Sequence, residues 1–147
     1  MTRVITIASR KGGSGKTTTA QMVAAGLEQL GYKTLVIDMD SQINLSILHD
    51  VPADQPPTIA EVLQGTPAAD AIRNTGSGDI IPGNTVIKAT EPDQPANALR
   101  RALDPIRNKY DFIIIDNSAQ LDSALIKSLL ASDQLIIKIW CGEYATG

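Results

Sequence analysis

The chain is 147 residues long, 43% hydrophobic and 20% charged, with a formal net charge of −3. That balance fits one globular domain over 1–147 with a sizeable core, and it excludes a whole-chain electrostatic drive toward nucleic acid or an anionic membrane. The single cysteine, Cys141, excludes an intrachain disulfide and a four-cysteine zinc site. No apolar run reaches the ~18 residues of a membrane span, and Met1-Thr2-Arg3 leads directly into a strand pattern, so the expectation is a cytoplasmic protein with no membrane partner.

In chain order, Val4 to Ala8 predicts a first strand. Ser9-Arg10-Lys11-Gly12-Gly13-Ser14-Gly15-Lys16-Thr17-Thr18-Thr19 follows as a loop. Ala20, Val23, Ala24, Leu27 and Leu30 then recur at helical spacing, with Gly31 as a stop. Thr34 to Ile37 is the second strand and ends at Asp38. Positions 52 to 57 carry three prolines and read as loop. Thr58 to Gln64 has the signature of a short helix, with Thr58 as cap and Glu61 three residues on. The pattern weakens from Ala68 to Asn84, where Asp79 to Asn84 reads as a short strand entering a turn. Pro92 and Pro95 precede a helix bearing Leu99, Ala102, Leu103 and Ile106, interrupted at Pro105. Asp111 to Asp116 is the clearest buried strand, Leu121 to Ala131 a helix, and Leu135 to Ile139 a last strand. Five strands alternating with helices predict an α/β fold: a mainly parallel sheet flanked by helices on both faces. Ligands of such sheets sit beyond the carboxyl ends of the strands.

The loop after the first strand is built to hold phosphate. Gly12, Gly13 and Gly15 let the backbone close around an anion without Cβ clashes. Amide N–H groups through Thr18, including that of Ser14, would point inward as a nest, and the following helix adds its positive end. Lys16 would reach the terminal phosphates and the Thr17 hydroxyl would hold Mg²⁺. A glycine-rich turn that binds nothing is the plain alternative. The ordinary spacing would place a glycine at 10, where this chain has Arg10. The adjacent glycines instead follow an extra lysine, Lys11.

Two further segments supply carboxylates. Asp38 and Asp40 lie two residues apart, on one side of an extended segment. Asp116 ends the apolar run Ile113-Ile114-Ile115. Both places are where a phosphate-loop protein needs ligands for a metal and an attacking water.

The Lys11-Gly12-Gly13-Ser14-Gly15-Lys16-Thr17-Thr18 run is a deviant Walker A motif and resembles the ParA/MinD group of P-loop ATPases. Asp38-Met39-Asp40-Ser41-Gln42-Ile43-Asn44 resembles the ParA stretch D-x-D-P-Q-x-N, with Ser41 for proline and Ile43 where glycine is usual. Tyr110 to Asp116 resembles that family's Walker B segment, although Asn117-Ser118-Ala119-Gln120 replaces its prolines. Ser132 to Tyr144 matches a later stretch, with Lys138 for proline.

The resemblance implies an ATP-dependent homodimer. Lys11 would serve the partner's ATP, and Lys16 and Thr17 the chain's own. Asp38 and Asp116 would support Mg²⁺, and Asp40 would place the water. Slow hydrolysis would time a switch for DNA or cargo partition, stimulated by a ParB-like activator. By the same resemblance, residues 1–147 would correspond to the N-terminal part of the family fold, without its last strand and C-terminal helices, and nonspecific DNA binding would need that further region. Two alternatives stay open: a metabolic or cofactor-assembly NTPase with a similar loop, and a non-hydrolysing nucleotide-binding module.

Other residues carry bland readings. His49, in a polar stretch, is expected on the surface. Arg100, Arg101, Arg107 and Lys109 read as a solvated helix face. Trp140 and Cys141 read as packing residues, and Arg10 has no assigned role.

Overall fold

Two apolar layers on a twisted sheet organise the molecule. The computed structural model describes residues 1–9, 16–52, 54–87, 94–118 and 122–138, the side chains of 9, 16–18 and 138 excepted. The elements are β1 (Arg3–Ser9), α1 (Lys16–Gln29), β2 (Thr34–Asp38), α2 (Asn44–Leu48), α3 (Ile59–Leu63), α4 (Ala68–Ala71), β3 (Arg73–Thr75), β4 (Gly78–Ile81), α5 (Ala98–Leu103), a 3₁₀ turn (Asp104–Lys109), β5 (Phe112–Ser118), α6 (Ser123–Ala131) and β6 (Gln134–Lys138). The sheet order is β3-β4-β2-β5-β1-β6. Every pairing is parallel except that of β3 with β4.

The sheet therefore has six strands among the described residues, not the expected five. The addition is β3, three polar residues whose pattern carries no alternation to read. It folds back on β4 through a tight turn with Gly78 at φ 115°. The first helix begins at Lys16, four residues before the apolar pattern does. It ends in a Schellman motif: Gly31 has φ 94°, Tyr32 N–H donates to Leu27 O and Gly31 N–H to Glu28 O. Leu30, assigned to the core stripe, falls past the last turn and is exposed. Trp140 and Cys141 lie outside the described residues.

Strand alternation divides the core. On one face Val4, Leu35, Ile37, Ile113 and Ile115 pack under Ile59 of α3, Leu99 and Leu103 of α5, and Ala124 and Ala131 of α6. On the other, Ile5, Ile7, Val36, Ile80 and Ile114 pack under Ala20 and Ala24 of α1 and Leu45 of α2. The small residues Ala20 and Ala24 are the part of α1 buried against the sheet. Pro105 converts the end of α5 into the 3₁₀ turn, as its missing N–H requires. Arg100, Arg101 and Lys109 are exposed, while Arg107 is half-buried and pairs with Asp133 at 3.7 Å. Among the described residues no helix is long and apolar enough to cross a membrane.

The α3 entry shows how a four-residue signal sets a boundary. Thr58 Oγ1 accepts from Ala60 N–H, and Glu61 Oε1 accepts from Thr58 N–H. The Asn84 side chain also donates to Thr58 Oγ1, tying the loop after β4 to this cap. Thr58→Ala is expected to lower stability by about 1–2 kcal/mol, read as a fall in Tm. An unchanged Tm would show that water replaces the cap.

His49 contradicts its surface assignment. It is 4% exposed, with Nδ1 2.9 Å from Thr75 Oγ1 and Nε2 2.6 Å from Gln21 Oε1. It therefore ties α2 to α1 and to the β3–β4 hairpin. Burial lowers its pKa, opposed by a hydrogen bond with the Gly78 backbone.

Candidate functional site

The carboxyl ends of β2 and β5 place Asp38 directly beside Asp116 in the parallel register. Both are fully buried. Alternation puts them on the face of Val36 and Ile114, the face that α1 covers. A backbone bond from Met39 N–H to Asp116 O, 2.9 Å long, continues the ladder one step past Asp38. Two carboxylates are thus brought together at the carboxyl end of two interior strands, the end from which the chain leaves β1 for α1.

Their proximity has an electrostatic signature. The pKa of Asp38 is raised to about 7: burial is the main cause, the Asp116 charge adds to it, and hydrogen bonds from Ser46 and the Asp40 backbone oppose the rise. Asp38 Oδ2 accepts from Ser46 N–H at 3.0 Å and from Ser46 Oγ–H at 2.7 Å; Oδ1 accepts from Asp40 N–H at 3.2 Å. These bonds come from a strained corner. Ile43, at the N-cap of α2, has φ 49° and ψ 30° and offers no side-chain cap. A β-branched residue there costs roughly 1–3 kcal/mol. Burying the Ile43 side chain returns about as much. Asp38, reaching across from β2, supplies the acceptor that this helix end lacks.

Asp40 is 7% exposed, and its Oδ1 accepts from Gln42 N–H at 3.0 Å. Ile43 N–H donates to Asp40 O at 2.9 Å, so the whole Asp40–Ile43 corner is closed on itself. Beyond Asp116, β5 continues through Asn117 and Ser118. The Asn117 side chain turns to the opposite face, where its amide donates to Ala124 O at 3.2 Å and to Ser128 Oγ.

The donors fit a hard divalent cation. Two adjacent buried carboxylates repel each other, and carboxylate oxygen is the ligand Mg²⁺ prefers. Among the described residues no three His, Cys, Asp or Glu side chains gather into a cage. Mg²⁺ is usually held this way, by one or two carboxylates with phosphate and water completing the set.

Of the residues named from sequence, Asp38, Asp40 and Asp116 are brought together. Lys16, Thr17 and Thr18 form the first turn of α1, and nothing is described of their side chains. Lys11, Gly12, Gly13, Ser14 and Gly15 lie outside the described residues. Two neighbours of Asp38 escaped the sequence reading: Ser46, 1% exposed, and Gly83 after β4, whose N–H donates to Ser46 Oγ at 2.9 Å. A Cβ on Gly83 would fall 2.9 Å from Asp38 Cγ, 3.0 Å from Asp38 Oδ2 and 3.1 Å from Ile43 Cγ2.

The mainly parallel sheet and its helices are the fold of a P-loop NTPase. A family model described as an AAA domain matches residues 2–147, and the chain belongs to the ParA/MinD-type P-loop ATPases. Sporulation initiation inhibitor protein Soj of Bacillus subtilis (strain 168) is 33% identical over 154 residues, covering 99% of this chain and 61% of Soj. The crystal structure of a plasmid partition protein from Borrelia burgdorferi is similar with a TM-score of 0.88 at 30% identity, over 99% of this chain and 69% of that one. Cobyrinic acid a,c-diamide synthase from Mycobacterium smegmatis, solved with an ATP analogue and magnesium, has a TM-score of 0.89 at 30% identity, over 95% of this chain and 59% of that one. The chain spans less than two thirds of the length of the curated relatives it matches.

Proposed function

We propose that this chain is the nucleotide-binding part of a ParA-like switch: it binds ATP with Mg²⁺, hydrolyses it slowly and couples the bound state to dimerisation in DNA or cargo partition. The observation carrying this reading is the buried Asp38–Asp116 pair, side by side at the strand ends. The Asp40-Ser41-Gln42-Ile43-Asn44 corner favours partition over a small-molecule ligase.

In this reading residues 1–147 act as one ATPase domain. Gly12, Gly13, Ser14 and Gly15, with amides through Thr18, cradle the phosphates. Lys16 neutralises the β and γ oxygens as charge spreads onto them. Thr17, Asp38 and Asp116 hold the Mg²⁺ that neutralises phosphate charge. Asp40 orients the water in line with the γ-phosphate. Lys11 reaches the nucleotide of a second copy, so ATP stabilises the dimer and the dimer completes the site. A ParB-like protein would then act by speeding hydrolysis.

Asp40→Asn tests this. Asparagine keeps an acceptor for Gln42 N–H but loses the charge that orients water. MgATP binding should persist while turnover falls about 10²-fold or more. The ATP-loaded protein should remain dimeric in light scattering. Turnover equal to wild type would remove Asp40 from the mechanism, and an ATP-independent monomer would remove the switch.

A further inference from the structure

The proposed cation-side carboxylate is held by two residues that belong to no nucleotide-binding motif. Ser46 lies on α2 and Gly83 follows β4, 37 residues apart in sequence. Ser46 gives Asp38 Oδ2 two donors, its N–H and its hydroxyl. A serine hydroxyl has one proton and can rotate. Here the Gly83 N–H occupies the serine oxygen as a donor, so the serine proton is left to point at Asp38. The environment is fully enclosed, with Asp38 at 0% and Ser46 at 1% exposure. Bulk solvent does not reach the hydroxyl.

Counting lone pairs gives the consequence. A carboxylate oxygen accepts about two hydrogen bonds. Among the described residues, Oδ2 has both places filled by Ser46, whereas Oδ1 receives one donor, Asp40 N–H. A half-turn about Cβ–Cγ only exchanges two equivalent oxygens, whereas any smaller rotation carries the carboxylate off the Ser46 donors and forfeits charge-assisted bonds. The absence of a Cβ at Gly83 leaves the room that Asp38 Cγ and Oδ2 occupy: a Cβ there would fall 2.9 Å and 3.0 Å from them.

We propose that Ser46 and Gly83 are positioning residues that fix Asp38 so that Oδ1, and not Oδ2, is the oxygen available to the magnesium site; this rests on the nucleotide-binding reading above. Ser46 touches neither phosphate nor metal in this scheme. It acts through Asp38, as outer hydrogen-bond partners of metal ligands do in general.

The test is Mg²⁺ titration of the purified chain with a fluorescent ATP analogue, comparing wild type, Ser46→Ala and Ser46→Thr, with Tm measured for each. Ser46→Ala should raise the half-saturating Mg²⁺ about tenfold or more. Its affinity for the analogue in EDTA should stay at the wild-type value, because the phosphate loop is untouched. Ser46→Thr, which keeps the hydroxyl, should restore most of the Mg²⁺ response. An unchanged Mg²⁺ requirement in a folded Ser46→Ala would overturn the proposal. So would a folded Ser46→Thr as impaired as the alanine variant, since the hydroxyl would then not be the cause. If either substitution abolishes folding, Ser46→Cys takes its place; wild-type Mg²⁺ response from that poor donor would equally overturn it. Wild-type protein that binds the analogue without any Mg²⁺ response would end this inference but leave nucleotide binding standing. Wild-type protein that binds no analogue would end the nucleotide-binding reading itself.

Discussion

Lys16→Ala is expected to take MgATP binding below detection by calorimetry. Lys16 is the first residue of α1, where unpaired amides and the helix dipole gather positive potential. A lysine at that position adds a full charge to a surface already selective for anions. Hydrogen bonds between charged groups are worth about 1.5–3 kcal/mol each, so losing those to the β and γ oxygens weakens binding by about 10²-fold or more. Alanine is the better helix former, so the fold should survive and Tm should not fall. Affinity equal to wild type would remove the glycine loop from the site, whatever the aspartates do.

Among the described glycines, Gly83→Ala should meet the tightest contacts and destabilise the chain. Its Cβ would press on Asp38 Cγ, on Asp38 Oδ2 and on Ile43 Cγ2, all nearer than ordinary contact. Neither neighbour yields easily. Asp38 is anchored by three donors, and Ile43 is already in a left-handed conformation against the core. Overpacking of this kind costs about 1–3 kcal/mol. A fall in Tm should therefore come with weaker Mg²⁺-dependent nucleotide binding. A variant with both properties intact would show that the loop after β4 shifts to admit the methyl group.

Much of the scaffold was legible because its signals are local. Ile113-Ile114-Ile115 is apolar on both faces and could only be a central strand, and it brought Asp116 with it. Thr58 and Glu61 stand three residues apart and make both halves of a capping box. Asp38 and Asp116 were legible as strand ends. That they stand side by side is a fact of register, which apolar patterning alone does not give. The α2 helix was invisible because it has five residues and starts from a left-handed isoleucine. Ser46 and Gly83 were invisible because their meaning is a contact across 37 residues. His49 was misread for the same reason: its partners, Gln21 and Thr75, lie 28 and 26 residues away. Lys127 is fully buried on α6 with its ammonium 2.9 Å from Gln94 Oε1, which no rule about lysines would have suggested.

The left-handed turn at Ile43 links two sites in the history of the sequence. The ParA resemblance puts glycine there, a residue that takes this conformation freely and leaves space beside it. Isoleucine fills that space up to Gly83. Positions 43 and 83 should therefore covary among relatives: a bulky residue at 43 demands glycine at 83, and glycine at 43 lifts one of the constraints on its neighbour. A lineage that exchanged glycine for isoleucine at 43 gained core volume and gave up the freedom to change 83.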